Sequence, residues 1–122
     1  MRSLDASVTD LRRFVRLRVT APVTVQIEHL HDMPAKLRDL GLGGFAIESR
    51  SPFWAGSHHH FHFSLPSGEV VSLTATAVHC YAQLVGHEQQ FITGWRFLPG
   101  NRDADIERLV EGVTEIVPKE HV

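Results

Sequence analysis

The sequence predicts a mostly β fold: six or seven antiparallel strands forming a small barrel or sandwich, closed by one C-terminal helix. Three observations carry this prediction. Short runs of alternating apolar and polar residues fill the chain from residue 19 to 98. Turn-forming residues separate these runs at hairpin spacing. One stretch, 101–117, has apolar residues at helical intervals instead. The 122 residues suit a single domain with one core.

The elements follow in chain order. Residues 1–11 hold Ser3, Asp5, Ser7, Thr9 and Asp10 with few large apolar groups, and read as a flexible N-terminal arm. In "VTAPVTVQIEHL", Val23, Val25 and Ile27 alternate with Thr24, Gln26 and Glu28, the pattern of a half-buried strand, with Pro22 at its start. "HDMP" is a turn, and "AKLRDLG" alternates again around Leu37. "GGFAIES" is the next strand, with Phe45 and Ile47 on one side. "SPFWAGS" is a loop. "HHHFHFSLP" is a strand that puts His58, His60 and His62 on one face and His59, Phe61 and Phe63 on the other. "SGE" turns into the long β-branched run "VVSLTATAVHCYAQL". "VGHEQQ" reads as a turn and "FITGWRFL" as the last strand. In "NRDADIERLVEGVTEIV", Ile106, Leu109, Val110, Val113 and Ile116 form one stripe, with Asn101 or Asp103 as cap and Pro118 as a stop.

Composition narrows the function. The formal net charge of -2 argues against a general nucleic-acid coat, so DNA is not an expected partner. No apolar run is long enough to span a membrane, so no membrane insertion is expected, and no secretion signal stands at the N-terminus. The single cysteine, Cys80, allows no internal disulfide, and a cytoplasmic location is expected. Arg12, Arg13, Arg16 and Arg18 fall within seven residues of this mildly acidic chain. A local cationic site on such a background points to a small anionic ligand.

The glycines of "DLGLGG", residues 39–44, sit at a bend between two strands. They are no P-loop, because no lysine follows, and no dinucleotide fingerprint, because no helix opens there. Taken alone they read as a β-bend supplied with positive φ. Beside "RRFVR" they read differently. Guanidinium forks match phosphate oxygens and the O6/N7 edge of guanine. The Asp39 carboxylate suits the N–H groups on guanine's other edge, and Gly41 and Gly44 let the backbone come close.

In these motifs the chain resembles the PilZ domain family of cyclic di-GMP receptors. That family has an RxxxR motif before its first strand, matched by Arg12 and Arg16, and a D/N-x-S-x-x-G motif at the turn between the second and third strands. Asp39 and Gly44 match the latter, and Gly41 stands in place of its serine. The resemblance spans roughly residues 11–116, including "FxxG" at 53–56 and "GWRF" at 94–97. It implies a six- to seven-stranded antiparallel β-barrel over 12–117 with its closing helix, followed by a tail at 118–122. It also implies a binding module rather than an enzyme. Cyclic di-GMP would be held by Arg12, Arg13, Arg16, Asp39, Gly41 and Gly44, with no cofactor and no metal. An unidentified protein partner would receive the signal, in control of motility, biofilm or exopolysaccharide. The competing reading is a scaffold of the same fold that no longer binds the nucleotide.

Other residues receive plainer readings. The histidine run has no nearby Cys or paired acid to complete a metal set, so a solvent-facing strand is expected over a metal- or haem-binding barrel. His79 and Cys80 are adjacent on a strand, face opposite ways, and make no catalytic dyad. Cys80 is expected to be buried, Trp54 and Trp95 to fill the core or its rim, and Glu111 and Glu115 to be solvated.

Overall fold

The computed structural model describes residues 17–19, 23–30 and 32–116, with backbone alone for 114–116. The expected flexible arm, Pro22 and the 118–122 tail lie outside these residues. The strands are β1 (Leu17–Arg18), β2 (Thr24–Ile27), β3 (Ala35–Leu40), β4 (Gly44–Ser49), β5 (His58–Ser64), β6 (Val70–Val85) and β7 (Glu88–Phe97), and helix α1 is Asp103–Ile116. β3–β2–β5–β6–β7–β4 pair antiparallel in that order, and β3 pairs with β4 to close a six-stranded barrel. β1 is an additional strand on β3. The expected barrel is therefore the observed architecture, and the sandwich is excluded.

Period-two alternation fills the interior. Phe45, Phe61, Phe63 and Trp95 are almost wholly buried. Phe45 meets Phe61 and Phe63 edge-on at 5.0 and 5.3 Å, an arrangement that suits the ring quadrupoles. On β5 the outward His58 and His60 are exposed, whereas Phe61 and Phe63 reach the core, as the alternation requires. Ile106, Leu109 and Val113 of α1 are buried and cover one side of the barrel.

Five expectations are corrected. The "VGHEQQ" turn shrinks to Gly86–His87: Val85 pairs with Glu88, and Gly86 takes φ 68°, a first-position glycine that suits a two-residue hairpin turn. The helix begins one residue after Arg102, whose carbonyl accepts the Asp105 and Ile106 N–H groups. Asn101 does not cap it, because its side chain is bonded to Thr74 and Leu98 instead. Trp54 is 87% exposed: it has no strand partner itself, and its neighbour Phe53 turns inward onto Trp95 at 5.0 Å. Cys80 is half-buried, because it lies on the part of β6 that runs past the last β5 pair at Thr76. Finally, the glycines at 41–44 do not have positive φ, which among the described glycines occurs at Gly56, Gly68 and Gly86.

Candidate functional site

The site is built at the turn from β3 to β4. Leu40 pairs with Phe45, and the Gly41 N–H donates to the Gly44 carbonyl at 2.9 Å, leaving Leu42 and Gly43 at the tip. The Gly43 carbonyl accepts from the Phe97 N–H at 3.1 Å, which ties the tip to β7. Gly44 is needed for close approach rather than for φ. A Cβ there would overlap the Trp95 carbonyl oxygen on β7. Its role is thus to seat the turn against the barrel wall.

Asp39 is positioned by a bulge. Leu37 pairs with Ile47 and Asp39 with Ala46, so Arg38 is the extra residue. Leu37 and Leu40 stay in the core, and Asp39 is left half-buried on the outer face with contacts of its own. Arg38 turns to Glu48 at 3.5 Å and donates to the Gln83 side-chain oxygen, Oε1, at 3.4 Å.

β1 runs alongside this segment. Leu17 pairs with Leu40, Arg18 with Asp39, and the Val19 N–H donates to the Arg38 carbonyl at 2.9 Å. The described chain therefore joins the barrel beside the β3–β4 turn. Arg12, Arg13 and Arg16 lie outside the described residues. Of the sequence-derived site residues, Asp39, Gly41 and Gly44 are brought together within one turn.

The same outer face carries residues that the sequence reading did not assign to the site. Register pairs Gly44 with Arg96 and Ala46 with Gly94, and Gly94 with His79 on β6. The His79 ring lies over Gly94 and stacks parallel to Tyr81, with centroids 6.2 Å apart. The result is a patch with the small residues Gly44 and Ala46 at its centre, Asp39 and Arg18 on one side, the His79 ring covering Gly94 on the other and Arg96 at the end. From β3 to β6 is three strand spacings, roughly 14 Å. Two arginines and one carboxylate bordering a surface of that width suit a ligand that carries phosphates and N–H donors. Arg18 was visible in the arginine cluster and Arg96 in "GWRF", but only strand register shows that they border one surface.

His79 and Cys80 face opposite ways, as expected: the Cys80 sulfur accepts a hydrogen bond from the Thr93 hydroxyl at 3.2 Å on the other side of the sheet. Among the described residues no group of three His, Cys, Asp or Glu side chains gathers to hold a metal. No described helix is long and apolar enough to cross a membrane.

Comparison with known proteins adds a second line of observation. The family model described as "PilZ domain" matches residues 10–115. Among solved structures, the PilZ domain with c-di-GMP of YcgR from Escherichia coli aligns with a TM-score of 0.62 at 15% identity. That alignment covers 84% of this chain and 92% of that one. The K. pneumonia MrkH–c-di-GMP complex aligns at TM-score 0.64 and 13% identity, covering 85% of this chain and 52% of that one. The Bacillus subtilis inhibitor of motility, MotI/DgrA, aligns at TM-score 0.62 and 16% identity, covering 85% and 49%. The chain thus spans about half the length of the latter two. No curated protein matches it in sequence.

Proposed function

Because the chain belongs to the PilZ domain family, we propose that it is a cyclic di-GMP receptor: a binding module, not an enzyme, that passes ligand occupancy to a protein partner. The observation that carries this reading is the β1 register. Leu17, next in sequence to Arg16, pairs with Leu40, and Arg18 lies opposite Asp39. In this reading the RxxxR leader, whose last residue precedes Leu17, is directed to the Asp39–Gly44 turn. Arg12 and Arg16, with Arg13 beside them, present guanidinium forks to phosphates and to the guanine O6/N7 edge. Asp39 accepts from guanine N–H groups, Gly41 offers its place in the turn without a side chain, and Gly44 seats that turn against β7. Arg18 and Arg96 add positive charge at the margins. YcgR and MrkH, which share this fold, are each described with c-di-GMP.

In this reading the ligand draws residues 12–16 onto the outer wall and changes the surface offered to a partner. Gly41 supplies no hydroxyl, which removes one hydrogen bond worth about 0.5–1.5 kcal/mol. The charge-assisted contacts are larger, so binding survives in weakened form. Gly41 is also the one feature that favours the second reading, a scaffold without the ligand.

Calorimetric titration separates the two. Wild type is expected to bind cyclic di-GMP at micromolar concentration. Arg16→Ala is expected to lose about 2 kcal/mol, roughly 30-fold in affinity, because a charge-assisted contact is removed. No heat at several hundred micromolar ligand, with the fold intact, overturns the receptor and leaves the scaffold.

A further inference from the structure

The sheet does not end where the barrel does. β5 covers β6 only as far as the His58–Thr76 pair. One residue on, Ala77 exchanges main-chain bonds with the 54–57 loop, donating to Ser57 at 2.9 Å and accepting from Gly56 at 2.7 Å. Beyond that point β6 continues to the Gly86 turn with β7 as its one partner strand among the described residues. The far edge of β7 is paired with β4 as far as Phe91. The far edge of β6, from His79 to Val85, has no partner strand among the described residues.

That edge has an unusual composition. Antiparallel geometry directs the main-chain groups of every second residue outward, ready to pair. Natural edges are kept apart by charged side chains, prolines and glycine bulges. The run His79-Cys80-Tyr81-Ala82-Gln83-Leu84-Val85 contains no Asp, Glu, Lys, Arg, Pro or Gly. Tyr81 and Leu84 are exposed by 51% and 73%. An apolar groove of about 280 Å³ lies beside the edge, walled by Phe53 and Trp54 and floored by Cys80, Ala82 and Phe91.

We propose that this edge pairs antiparallel with the same edge of a second copy, about a two-fold axis at Ala82. The charge pattern selects the occupant. A neutral edge meets its own copy without repulsion, whereas a charged peptide finds no complementary charge along it. Centring on Ala82 uses all seven residues and sets Cys80 opposite Leu84 and Tyr81 opposite Gln83. Among the described residues each chain offers one such edge, so pairing through it closes at a dimer rather than growing into a fibre. Seven residues span roughly 24 Å, and a sheet is about 10 Å thick, so the edge contact is roughly 240 Å². That is well below the ~800 Å² per partner of a stable complex. The dimer is therefore weak and reversible.

Sedimentation equilibrium of the ligand-free chain from about 5 to 500 µM tests this. Wild type is expected to pass from monomer to dimer across that range. Ala82→Lys sets two ammonium groups directly opposite each other. It should weaken the dimer at least tenfold without changing the urea midpoint, because Ala82 is solvent-exposed. An equimolar mixture of Ala82→Lys and Ala82→Glu should recover the dimer. Should Ala82→Lys lower stability, Leu84→Lys on the same edge serves in its place. Wild type that stays monomeric throughout, or a dimer undiminished in both lysine variants, overturns the proposal.

Discussion

At Gly44, β4 lies so close to β7 that an added methyl group would meet backbone rather than a flexible side chain: the Trp95 carbonyl oxygen and then the Arg96 Cα. Neither atom can move without parting the two strands. Gly44→Ala is therefore expected to cost about 3 kcal/mol, the upper end for overpacking. Urea denaturation checks it, and a loss below about 1 kcal/mol would show that the strands separate easily there. The motif at 39–44 made Asp39 and Gly44 legible in the sequence, but the reason for Gly44 was not. Positive φ is a local property that a turn sequence can signal. Close approach is a property of two strands fifty residues apart. The same holds for the two tryptophans, expected alike at the core or rim. Trp95 is in the core because it sits on an inward ladder position, and Trp54 is in solvent because it stands in a loop, outside any strand pair.

Among the elements, the alternating strands were readable wherever one face meets the core. The first residues of β7 were not, because Glu88, Gln89 and Gln90 belong to the ribbon beyond the barrel, where neither face is buried and polar residues carry no period. The attachment of α1 was likewise hidden. Its apolar stripe predicted that it packs, but its N-terminal anchor is a set of bonds made by one side chain. Asn101 Oδ1 accepts from the Thr74 N–H at 2.8 Å and from its hydroxyl at 3.1 Å, and Nδ2 donates to the carbonyls of Thr74 at 2.7 Å and Leu98 at 3.0 Å. A sequence shows Asn at a helix start and suggests a cap, whereas these bonds reach across 27 residues to β6. Asn101→Ala leaves the partly buried Thr74 N–H without that acceptor. It is expected to destabilise the fold by about 2–3 kcal/mol and to weaken helical ellipticity at 222 nm ahead of the main unfolding transition. A loss under about 0.5 kcal/mol would mean that α1 is held without Asn101, by its apolar stripe and the Arg108–Glu69 pair.

For the whole molecule, acid tolerance follows from which groups the fold prefers uncharged. His59 is half-buried between Phe53 and Trp95, with ring centroids at 5.3 and 5.7 Å. Burial, and secondarily the neighbouring His58, lower its pKa from the ordinary 6.5. The unfolded chain therefore takes up this proton first as pH falls. His59 costs no stability at pH 7.5, begins to cost it as pH drops through about 6.5, and stops adding to the loss below its own lowered value. Asp105 acts in a separate window. The hydrogen bond from Arg102 holds its carboxyl below the ordinary 3.8, so its contribution is present above that value and disappears only in stronger acid. Between pH 7.5 and 5.0 the two are thus separable. His59→Phe keeps an aromatic ring against Phe53 and Trp95 but cannot be protonated. Its urea midpoint relative to wild type should rise as the pH is lowered from 7.5 to 5.0. A difference that stays constant over that interval would show that the His59 imidazolium is accommodated in the folded barrel.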